Sequence, residues 1–176
     1  MDEETKNRLS RKAFAILIKL PQIERSLKLL LTWVFSEKEA DSLTLEDIES
    51  SNTKLRKATL GRLIRLLEER LMLQDEFKML MERVLADRNT FIHRLGDEGY
   101  IADDPPTISR LESFLDRLIA DSVKLERSLF RIVWLWKEHA EIKTDWDDYY
   151  KRCPHYKDIV DADAEDLAEM IKAKKD

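Results

Sequence analysis

The chain has 176 residues, which suits one domain. Apolar residues make up 43% and charged residues 38%, so a sizeable core must coexist with a large solvated surface. Three Gly and four Pro exclude the turn-rich chemistry of a β-sandwich or barrel. The one Cys excludes a disulfide framework and a Cys-based zinc module, and it fits a reducing, cytoplasmic setting. No charged-then-apolar leader opens the chain, and Lys, Arg or Glu interrupts every apolar run short of the ~18 residues a membrane span needs. The expectation is a soluble, cytoplasmic, all-α protein with no membrane segment.

Net charge is −5, from 31 basic and 36 acidic side chains, and it is uneven. Residues 1–94 carry 18 basic and 16 acidic groups, whereas 95–176 carry 13 and 20. Lys54, Arg56, Lys57, Arg62 and Arg65 stand in a stretch free of acids from 50 to 67. Such a patch either holds phosphates by charge attraction and counterion release or forms a solvated helix face. Lys54, Lys57, Arg62 and Arg65 are therefore candidate phosphate-binding residues, for RNA or another polyanion. The global charge recruits no polyanion, so any nucleic acid must be held locally.

In chain order, residues 6–20 place apolar side chains at 9, 13, 16, 17 and 20, a helical spacing. Pro21 lacks a backbone donor, so it kinks this helix or opens a second one carrying Ile23, Leu27, Leu30, Leu31, Val34 and Phe35. Residues 36–53 are polar and acidic and read as a loop. Ser51, Asn52 or Thr53 is placed to cap a third helix, with Leu55, Leu60, Leu63, Leu67 and Leu71 as its buried stripe. A fourth helix spans about 75–95 and stops at Gly96, Gly99 and the acidic, proline-containing 102–106. Ser109 and Glu112 have capping-box spacing ahead of a long helix bearing Leu111, Leu115, Leu118, Leu125, Leu129, Ile132 and Trp136. Asp163 is placed to cap a last helix reaching about Lys174. Together these predict an antiparallel helical bundle of four to six helices.

One residue breaks the pattern of the fourth helix. At about 100° per residue with Phe77 at zero, Leu80, Met81, Val84, Leu85, Ile92 and Leu95 fill an arc from about 300° to 80°. Arg88 falls at about 20°, inside that arc. A guanidinium keeps its proton at any ordinary pH, so its burial requires a carboxylate, carbonyls or a wet cleft. Asn89 and His93 lie four apart at the edge of the same face. Two arrangements satisfy these residues. In one, Arg88 pairs with an acid, Asn89 bonds a loop and His93 finishes the helix C-terminus, where a cation is favoured. In the other, Arg88 and His93 share a cleft suited to phosphodiester chemistry, where imidazole moves a proton and guanidinium offsets phosphate charge.

The string Arg88-Asn89-Thr90-Phe91-Ile92-His93 reads R-N-x-x-x-H. It resembles the signature of the HEPN superfamily: an arginine, an adjacent polar residue and a histidine after four to six intervening positions. The Thr59–Ile64 segment on the preceding helix, Phe77 and Leu80 leading in, and the long helix afterward fit the same pattern over roughly residues 20–138. The resemblance implies a compact helical bundle, here over 1–140, commonly a homodimer in which two motifs converge on one cleft; the charge pattern and Asp163 add an acidic C-terminal extension, 141–176, with a short helix. It also implies a metal-independent endoribonuclease of toxin–antitoxin or defence type, with RNA as substrate and an antitoxin or regulatory protein as a possible partner. His93 would then transfer protons around the ribose 2′-hydroxyl, Arg88 would orient and neutralise the scissile phosphate, and Asn89 would position them. The product would be a 2′,3′-cyclic phosphate. Some HEPN members are non-catalytic interaction modules, and that is the alternative function.

Two features depart from a minimal HEPN domain: the chain is longer, and the acidic 141–169 stretch has no derived role beyond a solvated tail or a cover for a basic cleft. Cys153 and His155 flank Pro154, with His139 upstream, but zinc wants four ligands and a Cys–His nucleophile pair must face each other. No Gly-rich phosphate loop, HExxH or EF-hand pattern occurs, so no metal or cofactor is expected. Trp33, Trp134 and Trp136 read as core or interface residues, and Gly61 as a close helix crossing or a helix start.

Overall fold

The structure is a computed structural model and describes residues 1–33, 53, 55, 57–100, 103–139 and 171–173. The fold is all-α, with four α-helices among the described residues: α1 (Glu3–Trp33), α2 (Leu60–Arg70), α3 (Asp75–Asn89) and α4 (Pro105–His139). A π-helical turn, Thr90–Arg94, continues α3. The chain divides into two compact units, Met1–Ile23 with Lys78–Glu126, and Glu24–Phe77 with Arg127–Asp176. No helix among the described residues is long and apolar enough to cross a membrane.

Local chemistry sets the helix boundaries. Asp2 accepts the Thr5 amide at 2.7 Å, so α1 begins at Glu3 rather than near residue 6. The helix then runs through Pro21 without dividing. Proline removes one amide donor there, and the buried stripe on both sides of it holds the helix together. Thr59 caps α2, its hydroxyl accepting the Arg62 amide at 3.4 Å. Thr59 thus caps α2 itself; Thr53 and Leu55 are also helical, while Ser51 and Asn52 lie outside the described residues. Gly61 is the second residue of α2, consistent with a helix start.

The start of α4 differs more. Asp104 is its N-cap, accepting the Thr107 amide at 3.0 Å, and Pro105 occupies the first helical position, where a missing donor costs nothing. The acidic, proline-containing stretch read as a stop is therefore the start of the next helix. That backbone hydrogen bond holds the Asp104 carboxyl below its ordinary value. Glu112, expected in a capping box with Ser109, bonds α1 instead.

In the first unit the core comprises Leu9, Ile16, Leu20 and Ile23 of α1, Leu80, Met81 and Val84 of α3, and Phe114, Leu115, Leu118 and Leu125 of α4. Along α4 the buried positions 115, 118, 122 and 125 alternate by three and four, the spacing of a coiled-coil seam. Ion pairs give the helix directions. Arg8 and Lys12 bind Glu112, Lys12 binds Asp116, and Lys19 binds Glu126 at 2.6 Å, so α1 runs parallel to α4. Arg83 binds Asp121 and Asp87 binds Arg117, so α3 runs antiparallel to α4. The antiparallel arrangement expected of short connections thus holds for α3 and α4. The α1–α4 pair, far apart in sequence, is free of that constraint.

Lys12, then Arg8, holds the Glu112 carboxyl below its ordinary value of 4.5. A lowered carboxylate contributes stability above its unfolded value and loses it as pH falls through the folded one. Glu112→Gln is therefore expected to be less stable than the parent at about pH 7 and to converge on it at a pH below the folded value of the Glu112 carboxyl. Urea titrations at both pH values check this, and a constant difference between the two would refute it.

Ser122 is fully buried in the α4 seam, and its hydroxyl has no hydrogen-bond partner among the described residues. Removing an unsatisfied buried hydroxyl relieves its desolvation cost, so Ser122→Ala is expected to raise stability by about 1 kcal/mol. A drop in the urea midpoint would show that the hydroxyl is satisfied after all.

In the second unit, Leu27 and Leu30 of α1, Leu60, Leu63, Ile64 and Leu67 of α2, Phe77, and Leu129 and Ile132 of α4 are buried. After α2, strand β1 (Leu71–Leu73) pairs antiparallel with β2 (Ile171–Ala173), with Met72 opposite Lys172. Leu71 leaves the helical stripe, and Ile171–Ala173 forms a strand where a helix was expected. Strand pairing is non-local, so no helical period in either segment announces it. The whole 141–169 segment, with Cys153 and His155, lies outside the described residues, as do the side chains of Trp33, Trp134 and Trp136.

Candidate active site

The motif occupies the end of α3 and the π-turn. Phe77, Leu80, Met81 and Val84 are buried as the helical period requires, and Arg88 is half-buried on the same arc. Its Nη1 donates to Asn89 Oδ1 at 3.1 Å, so the amide beside the arginine orients its fork. On the same helix and its neighbour, Asp87 binds Arg117 at 2.9 Å and Asp121 binds Arg83.

At Thr90 the hydrogen-bond pattern widens to i→i+5. Steps of 100° no longer apply, and the i, i+4 alignment of Asn89 and His93 gives way to the wider turn. Phe91 and Leu95 face a groove toward α1 and α4, while Ile92 and His93 are exposed. Ile92, expected on the apolar arc, is 41% exposed for this reason. A single π-turn inside a helix recurs at functional sites, where it re-aims side chains.

The segment beyond the motif ends in a Schellman motif. Tyr100 N–H bonds Leu95 O, Gly99 N–H bonds Gly96 O, and Gly99 has φ +71°, a left-handed conformation that costs glycine little. Gly99 is the stop residue, and Gly96 lies inside the turn. Arg110 Nη2 donates to Glu98 O at 3.0 Å, satisfying a terminal carbonyl. Arg110 also lies over the Tyr100 ring, which stacks on Phe114 with centroids 5.1 Å apart, and Arg117 lies over Phe114. This layered stack fastens the motif-bearing turn to α4. Sequence reasoning missed Tyr100, Arg110 and Arg117. The only signal was an aromatic residue directly after a C-terminal glycine.

The candidate RNA-binding residues belong to the second unit. Arg62 and Arg65 are exposed on α2, Lys57 is exposed in the preceding turn, and Lys54 lies outside the described residues. Arg65 Nε reaches Gly61 O at 3.5 Å, the outer limit of a hydrogen bond. Among the described residues no three His, Cys, Asp or Glu side chains converge as a metal site.

What the site offers is a cation held by an amide at the foot of a turn, and an imidazole on that turn open to solvent. No protein-family model matches the chain, and neither a curated protein nor a solved structure matches it.

Proposed function

We propose that this chain is a HEPN-like, metal-independent endoribonuclease in which Arg88, Asn89 and His93 form the reactive site. The observation that supports this most is the Arg88–Asn89 hydrogen bond at the base of a π-turn on which His93 is exposed. His93 removes the proton of a ribose 2′-hydroxyl. The 2′-oxygen attacks the adjacent phosphorus, the P–O5′ bond breaks, and the leaving 5′-oxygen takes a proton. The products are a 2′,3′-cyclic phosphate and a 5′-hydroxyl. Arg88 offsets the charge that builds on the non-bridging oxygens, and Asn89 fixes its fork. A homodimer places two such turns at one cleft, and an antitoxin or regulatory protein restrains the activity in the cytoplasm.

Lys57, Arg62 and Arg65 supply phosphate contacts that position RNA without reading its sequence. The deciding experiment is cleavage of single-stranded and structured RNA in EDTA, with end-group analysis and a DNA control. RNA fragments ending in cyclic phosphate, with DNA intact, are the expected result. The second reading is a non-catalytic interaction module, favoured by the exposed Phe14, Leu17 and Ile18. Absence of cleavage at high protein concentration, with or without added divalent metal, would leave that reading standing.

A further inference from the structure

The outer face of α1 is apolar where a solvated helix would be polar. Phe14, Leu17 and Ile18 are 64%, 51% and 47% exposed, and Pro21 follows them, also exposed. At about 100° per residue they lie roughly 100° to 200° around the helix from buried Ile16. They therefore cannot belong to the seam. Scattered single apolar residues on a surface are ordinary, but a contiguous apolar face marks an interaction site.

Beside this face is a groove of about 250 Å³ between α1, the π-turn and α4. Its apolar walls include Ala13 of α1, Phe91 and Leu95 of the motif turn, and Leu111 of α4. Lys6 and Ser10 also line it. Ser10 precedes Phe14 by one helical turn and Leu17 by two, so groove and face form one continuous surface along α1.

Charge indicates the occupant. From residue 5 to residue 23 the chain carries Lys6, Arg8, Arg11, Lys12 and Lys19 and no acid. Arg8, Lys12 and Lys19 are bound to Glu112, Asp116 and Glu126 of α4. Lys6 and Arg11 are exposed alongside the apolar face.

We propose that this surface docks an amphipathic helix of a partner protein, one whose apolar stripe is flanked by Asp and Glu. An anchoring side chain of that helix enters the groove, as in other helix-in-groove complexes, and its acids meet Lys6 and Arg11. A second copy docking through the same face would set the acid-free 5–23 stretch of α1 against itself, with Glu3, Glu4 and Glu24 beyond its ends. A flat anionic lipid surface matches the charge but leaves the concave groove unfilled. The groove has the same chemistry whether or not His93 acts on RNA.

The test uses the full chain and two labelled peptides of about 18 residues, roughly 27 Å as helices. Both carry the same leucine stripe, one flanked by Glu and the other by Lys, and binding is read by fluorescence anisotropy. The Glu peptide is expected to bind at least about tenfold more tightly than its Lys twin, with Phe14→Glu and Leu17→Glu each costing about tenfold. The Lys6→Glu, Arg11→Glu double variant should reverse the preference. These positions are exposed, so thermal unfolding of each variant should match the parent and exclude misfolding. Equal binding of the twins, or binding of neither, overturns the proposal. So does a dimer that Phe14→Glu dissociates in sedimentation, which would assign the face to a second copy. Tighter, Phe14→Glu-sensitive binding to phosphatidylserine vesicles than to the Glu peptide would assign it to a lipid surface.

Discussion

Replacing His93 with alanine is expected to lower RNA cleavage in EDTA by about 10²- to 10⁴-fold, the range a positioned proton-transfer group supplies. His93 is exposed on the π-turn, so thermal unfolding should be unchanged and the loss chemical rather than structural. Arg88→Ala should fall at least as far, because a developing phosphate charge then meets no cation. Arg88→Lys should recover little, since a point charge lacks the planar fork that Asn89 Oδ1 orients. Asn89→Ala, which leaves both reacting groups in place, should reduce activity less than either. End-group analysis separates the mechanism from contamination: parent fragments carry cyclic phosphate, and an RNA with one 2′-deoxy position resists cutting there. Parent-level cleavage by His93→Ala would remove the histidine from the mechanism.

Leu118→Ala is expected to destabilise the protein by about 2–5 kcal/mol, the cost of lost transfer energy plus a residual cavity. Leu118 is fully buried in the α4 seam, between Leu115 and Ser122. α4 is bound to α1 through Glu112, Asp116 and Glu126 and to α3 through Arg117 and Asp121. Helices tied at so many points cannot readily move together to fill the space. Leu17→Ala is the matched control: the same atoms are removed from an exposed position, and the change should stay within about 0.5 kcal/mol. Equilibrium urea unfolding with constant slope measures both. If the two substitutions cost the same, the seam does not carry the packing energy assigned to it.

The failures of sequence reading have physical causes that can be named. Of the two arrangements open to Pro21, the second helix fails and a single α1 holds, because buried residues on both sides outweigh one missing hydrogen bond. The Asp103–Pro106 stretch has the composition of a loop, yet aspartate followed by proline is also the start signal of a helix, and α4 uses it so. Glu112 has capping-box spacing from Ser109, which points to a local partner. It binds Arg8 and Lys12, a hundred residues away in sequence. The β1–β2 pairing joins Leu71–Leu73 to Ile171–Ala173 and has no local period to betray it.

The period of apolar residues, by itself, determined the all-α class, the run of α3 up to its motif and the buried face of α4, because a helix must bury one stripe whatever packs on it. It also placed Arg88 on an apolar arc, since that follows from 3.6 residues per turn. Tertiary structure decided what the arginine meets there, the π-turn on which His93 is exposed, and the parallel pairing of α1 with α4. It alone leaves Phe14, Leu17 and Ile18 exposed while Leu9, Ile16 and Leu20 are buried. Both sets are apolar and share one helix, and only the neighbours a helix acquires in the fold determine which of two apolar faces is covered.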